Sequence, residues 1–233
     1  MPSNLVSSWK AVLEIAGQVP LEKWVLIGGQ MVALHALIAS TNPPRLSLDI
    51  DLLVHVLAPK GALGTCSRLL QEMDFQPEMD LAGNVYRFRS PDGGVIDLLA
   101  PEDVPADRLP LIRGGHTVLI EGGRQALNRT AVVTVHLESQ KVDVPVPDLL
   151  GALVLKSAAW AVDSRDRARH SQDAAFLVSL MRDPRLEQAR FAGSDRHRLH
   201  KLDSVLKDPN AREWALLGDA AEDGYAAWRI LLG

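Results

Sequence analysis

The most constraining stretch of the chain is residues 26–54, where a diglycine turn, an apolar segment and an Asp-x-Asp pair follow one another. Gly28 and Gly29 close a short apolar run, and Asp49 and Asp51 alternate with apolar residues. Because residues two apart on a β-strand point the same way, the two aspartates are predicted to share one face. Carboxylates held so close repel each other unless a cation lies between them. Oxygen ligands favour Mg²⁺, so the pattern predicts a magnesium site.

A third carboxylate is predicted to lie on a sheet beside this pair. Residues 85–89 and 95–99 alternate as strands and flank a turn at 90–94, as in a β-hairpin, and the second strand carries Asp97. Three strand carboxylates form a platform on which one or two Mg²⁺ ions bind a triphosphate during nucleotidyl transfer. Taken singly, each feature is more often structural: the diglycine as an ordinary turn, the aspartate pair as a solvated strand edge, and Asp97 as a hairpin residue facing water.

Four residues near the carboxylates are candidates for phosphate binding. Gly28 and Gly29 lack a Cβ atom, so their backbone can approach a phosphate, and the N-terminus of the following helix offers N–H groups to it. Arg45 and Ser47 lie just ahead of the aspartate pair, where they can contact the same phosphates.

Lys156 lies on an otherwise apolar predicted helix, where an ammonium group needs a partner. A triphosphate would serve, and so would a carboxylate such as Asp173. If the helix continued without a break, Arg167 would lie on the same face as Lys156, with Arg165 on the opposite side. The alternative is that Lys156 is a surface lysine whose ammonium reaches water, and that 165–169 is a solvated run of charges.

The rest of the pattern predicts an α/β domain over residues 1–145 and a helical domain over residues 146–233. Pro145 and Pro147 are predicted to end the strands, and Asp148 to cap the first helix of the second domain. Residues 101–115 are predicted to form a loop. The predicted helices are 5–17, 30–39, 61–73, 149–162, 170–181, 196–206 and 211–231, and strands are expected at 24–27, 116–120, 130–137 and 142–144, besides the hairpin and the aspartate strand.

These motifs resemble the nucleotidyltransferase superfamily that includes DNA polymerase β. The pattern of that superfamily is an apolar residue, Gly-Gly or Gly-Ser, a helix, an acid–apolar–acid segment and a third acid on a later strand. A longer spacing before the acids, closed by Arg-x-Ser, is similar to the abortive-infection AbiEii-like branch, which also carries a downstream helical Lys and an Asp-rich helix start. The matching residues are Ile27, Gly28, Gly29, Arg45, Ser47, Asp49, Ile50, Asp51, Asp97, Lys156 and Asp173.

The resemblance implies an α/β fold with a mixed sheet flanked by helices, and transfer of a nucleoside monophosphate from an NTP to an acceptor hydroxyl with Mg²⁺. Asp49 and Asp51 would bind the metal, Asp97 would be a third ligand or the base, and Lys156 would balance the phosphate charge. The AbiEii-like branch further implies tRNA or another RNA as acceptor, and a toxin restrained by a cognate antitoxin protein. The residues expected to contact the nucleotide are Gly28, Gly29, Arg45, Ser47, Lys156, Arg167 and Asp173.

Two other kinds of function stay open. One is a nucleotidyltransferase that modifies a small molecule or a protein; the other is a non-catalytic module of the same fold that binds a nucleotide or a partner. The formal charge of −4 argues against a generally basic nucleic-acid-coating protein, although residues 165–201 carry nine Lys or Arg against five acids. A cytoplasmic protein without membrane contact is expected, because neither a signal-peptide pattern nor an apolar run of membrane-spanning length is found.

Overall fold

The computed structural model describes residues 1–56 and 61–233, and this part of the chain divides into two compact units. The first unit comprises Met1–Met31 and Ser47–Pro147, and the second unit comprises Val32–Leu46 and Asp148–Gly233. The division into domains at residue 145 stays a prediction, because a compact unit does not show independent folding. No helix in the described ranges combines the length and the apolar content needed to cross a membrane.

The order of elements is that of a mixed α/β chain with a helical C-terminal part. The helices are α1 (Ser3–Gln18), α2 (Gly28–Ile38), α3 (Ala62–Glu72), α4 (Gly123–Asn128), α5 (Leu149–Val162), α6 (Arg167–Ser179), α7 (Pro184–Ala189), α8 (Asp195–Leu206), α9 (Arg212–Ala215) and α10 (Ala221–Leu232). The strands are β1 (Trp24–Ile27), β2 (Asp49–Val54), β3 (Gln76–Met79), β4 (Val85–Arg89), β5 (Val95–Pro101), β6 (Leu111–Ile112), β7 (Gly115–His116), β8 (Val118–Ile120), β9 (Thr130–Leu137) and β10 (Gln140–Pro147). Short 3₁₀ helices lie at Leu21–Lys23, Ala106–Arg108 and Gly218–Ala220.

The first unit is built on a mixed sheet in which the strands run in the order β1-β2-β5-β4-β3, with β8 beside the end of β5. β2 and β5 are parallel, whereas β1 is antiparallel to β2 and β4 is antiparallel to β5. α1 contacts both β2 and β5. The buried apolar residues of the central strands include Ile50, Leu52, Phe88, Ile96 and Leu98, each fully inaccessible to solvent.

The prediction that Pro145 ends the strand is wrong. β10 continues through Pro145 to Pro147 and pairs with β9 over its whole length. Within the described chain β10 pairs with one strand, β9. Residues 145 and 147 lie two positions apart, so their backbone nitrogens face the same edge of β10. Proline has no N–H group to donate, and a strand tolerates this along an edge that is not paired with another strand.

The second unit is a cluster of helices around two buried indoles, Trp214 and Trp228. α5 packs on α6 and α8, and α10 packs on α6 and α7. Asp148 caps α5 as predicted, because its carboxylate accepts a hydrogen bond from the Gly151 N–H at 2.9 Å. The single helix predicted over 211–231 is wrong: Gly218 adopts a φ of +57°, which an α-helix cannot continue through, and α9 and α10 lie on either side of it.

Candidate active site

Asp49 and Asp51 share one face of β2, as predicted. Both side chains are half-buried, whereas Ile50 and Leu52 between and beyond them are fully buried. The alternation follows from the two-residue period of a strand, which sends the apolar residues into the core and the carboxylates to the opposite face.

Asp97 lies directly beside this pair. In the parallel ladder of β2 and β5, Asp97 is the register partner of Asp51, so the two side chains emerge from adjacent strands at the same level. Asp97 is only 5% exposed. Burial raises the pKa of its carboxyl group, and the charge of Asp49 adds to that rise. The prediction that the hairpin places a third carboxylate on the sheet is confirmed, and the alternative of a residue facing water is wrong.

Arg87 is a site residue that the sequence reasoning missed. It is the register partner of Asp97 across β4 and β5, and it forms a bidentate ion pair with Asp97: Nε donates to Oδ1 at 2.9 Å and Nη2 to Oδ2 at 2.8 Å. These bonds partly offset the effect of burial on the pKa of Asp97, and they raise the pKa of Arg87. A signal was present in the sequence, because residues 87 and 97 are equidistant from the centre of the turn at Asp92.

The backbone of Gly28 approaches the carboxylate of Asp51 closely. Gly28 begins α2 with a φ of +71°, and a methyl group on its Cα would overlap Asp51 Oδ2. The diglycine backbone therefore makes a close approach, as predicted, but the group that it approaches is a carboxylate of the same chain. Gln30, the third residue of the helix, accepts a hydrogen bond from Trp9 Nε1 at 3.2 Å and donates one to the carbonyl of Ser47, which holds the segment that leads into β2.

In the second unit, Lys156 and Arg45 share the carboxylate of Asp173. Lys156 Nζ lies 2.7 Å from Asp173 Oδ2, and Arg45 donates to both carboxylate oxygens, at 3.0 Å from Nε and 2.8 Å from Nη2. Asp173 is fully buried and the Lys156 side chain is 4% exposed, so Lys156 is not a surface lysine. Burial raises the pKa of Asp173, but the charges of Lys156 and Arg45 outweigh it and leave that pKa below its usual value. Two cations on one carboxylate leave one positive charge in excess.

His170 lies at the edge of this ion cluster. Its Nε2 is 3.1 Å from Asp163 Oδ2, and its Nδ1 is buried without a hydrogen-bond partner in the described chain, as is Ser157 Oγ. Burial lowers the pKa of His170 to about 4, and the positive charges of Lys156 and Arg169 act in the same direction. His170 is therefore neutral at physiological pH.

The unbroken helix on which Arg167 would have shared a face with Lys156 does not form. α5 ends at Val162 and a new helix begins at Arg167, because Asp163 accepts hydrogen bonds from the Arg165 and Asp166 N–H groups. The exposed guanidinium of Arg167 stacks on Trp160, 5.3 Å from the ring centroid, and donates to the carbonyl of Asp163 at 2.9 Å.

Comparison with known proteins supports the fold expected from these motifs. No protein-family model matches the sequence, and no curated protein does. Among solved structures, the crystal structure of an antigenic nucleotidyltransferase-like protein from Paracoccidioides brasiliensis has a TM-score of 0.52 and 18% sequence identity, covering 95% of this chain and 94% of that chain. The fold is nucleotidyltransferase-like.

In this nucleotidyltransferase-like fold, the donor set on β2 and β5 suits a hard cation, because all its ligands are carboxylate oxygens. The arrangement does not close around one: in residues 1–56 and 61–233, no three acidic, imidazole or thiol groups are placed to hold a metal ion together. Arg87 donates a hydrogen bond to each oxygen of Asp97, so the third carboxylate is already paired with a cationic side chain. The residue types of Asp49, Asp51 and Asp97 therefore fit the predicted site, and Asp97 would bind a cation there in competition with Arg87.

Proposed function

We propose that the protein is a Mg²⁺-dependent nucleotidyltransferase that transfers a nucleoside monophosphate from an NTP to an acceptor hydroxyl. The observation that carries the proposal is the row of carboxylates at one level of the sheet, Asp51 beside Asp97 with Asp49 on the same face, in a nucleotidyltransferase-like fold. Asp49 and Asp51 are the proposed metal ligands. When bound there, Mg²⁺ would supply charge neutralisation to the triphosphate and acidify the attacking hydroxyl.

In the proposed reaction the acceptor oxygen bonds to the α-phosphorus of the NTP while the bond from that phosphorus to the bridging α–β oxygen breaks, so pyrophosphate leaves. Asp97 accepts the hydroxyl proton or completes the metal site. Burial raises the pKa of the Asp97 carboxyl group, which suits the first role, and the register of Asp97 with Asp51 suits the second. Gly28, Gly29 and Ser47 are the proposed phosphate contacts of the first unit, since α2 begins at the two glycines and the first N–H groups of a helix can hydrogen-bond to a phosphate.

A phosphate-binding role is proposed for the ion cluster of the second unit. Lys156 and Arg45 carry two positive charges against the single carboxylate of Asp173, and the excess charge suits an anion. Arg167 is exposed and held on Trp160, which leaves its remaining N–H groups accessible to a nucleotide.

An RNA acceptor, specifically tRNA, and a role as the toxin of a toxin–antitoxin pair complete the proposal. Both rest on the resemblance of the Arg45-x-Ser47-x-Asp49 segment to the AbiEii-like branch. Exposed basic residues between 165 and 201, among them Arg182, Arg185 and Lys201, offer phosphate contacts.

The test is incubation of the protein with each labelled NTP, Mg²⁺ and total RNA, with Asp49→Asn and Asp51→Asn as matched variants of unchanged size. Label in RNA that disappears with either variant supports the proposal. Label on protein or on a small molecule, lost with the same variants, supports the alternative acceptors instead. No transfer with any NTP by folded protein would contradict catalysis and favour a binding module. Growth arrest on expression, relieved by Asp51→Asn, tests the toxin role separately.

A further inference from the structure

Three side chains form a row across three adjacent strands of the first unit. The β2–β5 ladder places Asp51 opposite Asp97, and the β4–β5 ladder places Arg87 opposite Asp97. Because register partners on neighbouring strands emerge from the same face, the order across the sheet is carboxylate, carboxylate, guanidinium. Asp97 lies in the middle, with the guanidinium of Arg87 on one side and, on the other, Asp51, which is proposed to bind a metal ion.

The contact between Arg87 and Asp97 uses all the oxygens that Asp97 has. Two parallel N–H···O bonds of 2.9 and 2.8 Å match the fork of the guanidinium to the two carboxylate oxygens. A buried carboxylate requires such a partner, since removing it from water without one is strongly unfavourable. The Arg87 side chain is 35% exposed, and its guanidinium lies 5.9 Å from the ring centroid of Tyr86, so the side chain has solvent into which it can move.

We propose that Arg87 is a positioning residue that competes with a divalent cation for Asp97. The ion pair engages both oxygens of Asp97 and offsets its charge, so the three carboxylates bind a cation more weakly while Arg87 is in place than after it moves away. This inference rests on the proposed function and adds to it a control of cation affinity within the sheet. It accounts for a carboxylate row that is in register and yet not arranged around a metal ion.

The test is binding of Mn²⁺, followed by electron paramagnetic resonance of the free ion, to the full-length wild-type chain and to Arg87→Gln and Arg87→Lys. Removing two charge-assisted hydrogen bonds from the competitor is expected to lower the Kd for Mn²⁺ by about 10-fold or more in Arg87→Gln. Arg87→Lys, which keeps the charge but not the fork, is expected to lie between that variant and the wild type. The increase in melting temperature on adding Mn²⁺ is expected to be larger in Arg87→Gln than in the wild type, which gives a second readout that needs no catalysis.

The matched control is Arg89→Gln. Arg89 lies two residues along the same strand and forms its own ion pair with Glu78 at 2.8 Å, in which both side chains are largely exposed. Its charge interacts with Asp49 through solvent-exposed surroundings, so its substitution is expected to change Mn²⁺ affinity much less than Arg87→Gln does. Mn²⁺ affinity that stays the same or weakens in both Arg87 variants would overturn the inference, provided that Asp51→Asn weakens it. Mn²⁺ affinity that Asp51→Asn does not change would contradict the metal site of the proposed function itself.

Discussion

Replacing Asp173 with asparagine removes the one charge that Lys156 and Arg45 share while keeping the size of the side chain. Asp173 is fully buried and Lys156 is nearly so, whereas the Arg45 side chain is 26% exposed and can turn toward water. The main cost is therefore a buried ammonium without a counter-charge. Breaking a buried ion pair by removing one partner costs about 3–5 kcal/mol, which for a chain of this size lowers the melting temperature by about 6–20 °C.

The free energy of unfolding is best measured by urea titration with tryptophan fluorescence, because Trp160, Trp214 and Trp228 all lie in the affected unit. A double-mutant cycle with Lys156→Met separates the pair from its parts. The double variant is expected to be at least about 1 kcal/mol more stable than the sum of the two single effects predicts, because the unpaired ammonium is gone.

Acidification provides an independent check of the same cluster. Since the pKa of folded Asp173 lies below that of the unfolded chain, its contribution to stability is complete above about pH 4 and is lost as the pH falls through the folded value. The matched control is Glu78→Gln, which breaks the exposed ion pair with Arg89 and is expected to cost less than about 1 kcal/mol. An Asp173→Asn variant as stable as the Glu78→Gln variant would refute the reasoning.

Three further predictions concern single positions. Gly28→Ala is expected to reduce both stability and nucleotidyl transfer, because residue 28 has a positive φ and the new methyl group would overlap Asp51. Gly64 lies inside α3 with open space around it, so Gly64→Ala should raise stability by about 0.5–1 kcal/mol in the same urea titration. Between pH 6.5 and pH 4 the unfolded histidine binds a proton and folded His170 does not, so the wild type loses about 3 kcal/mol of stability as the pH falls through this range. His170→Gln is expected to lack this loss, so its unfolding midpoint should depend less on pH over the same range. Ser157→Ala should stabilise the protein by about 1 kcal/mol in thermal unfolding, because it removes a buried hydroxyl without a hydrogen-bond partner; destabilisation would show that the hydroxyl is paired.

Local signals in the sequence were sufficient to predict elements and faces that depend on residues close together in the chain. The bounds of α5 agree with the prediction because Asp148 caps the helix and a largely apolar run without proline follows. The eight residues of β9 also agree, since five of them are β-branched and a turn at 138–139 ends the strand. The Asp49–Asp51 face follows in the same way from the strand period.

Contacts between distant residues could not be predicted in the same way. Nothing in the local pattern specifies that Asp51 is opposite Asp97, because the register of parallel strands depends on packing across the sheet. Arg87 was within reach of a hairpin argument, but its alternating pattern alone does not reveal whether a carboxylate or water is the partner. The helices α4 and α7 and the strand β3 were not predicted; they are short, and tertiary contacts outweigh propensity in such elements.

The second unit joins a short early segment to the last part of the chain, and this affects the order in which the protein can be completed. During synthesis on the ribosome, Arg45 is made 128 residues before Asp173, the carboxylate it binds. A nascent or truncated chain that stops short of α6 already contains Asp49, Asp51 and Asp97, but the partner of Arg45 does not yet exist. Fragments designed from the α/β part alone therefore carry an unpaired arginine shortly before the aspartate strand, and a chain that includes α6 is the appropriate starting material for functional work.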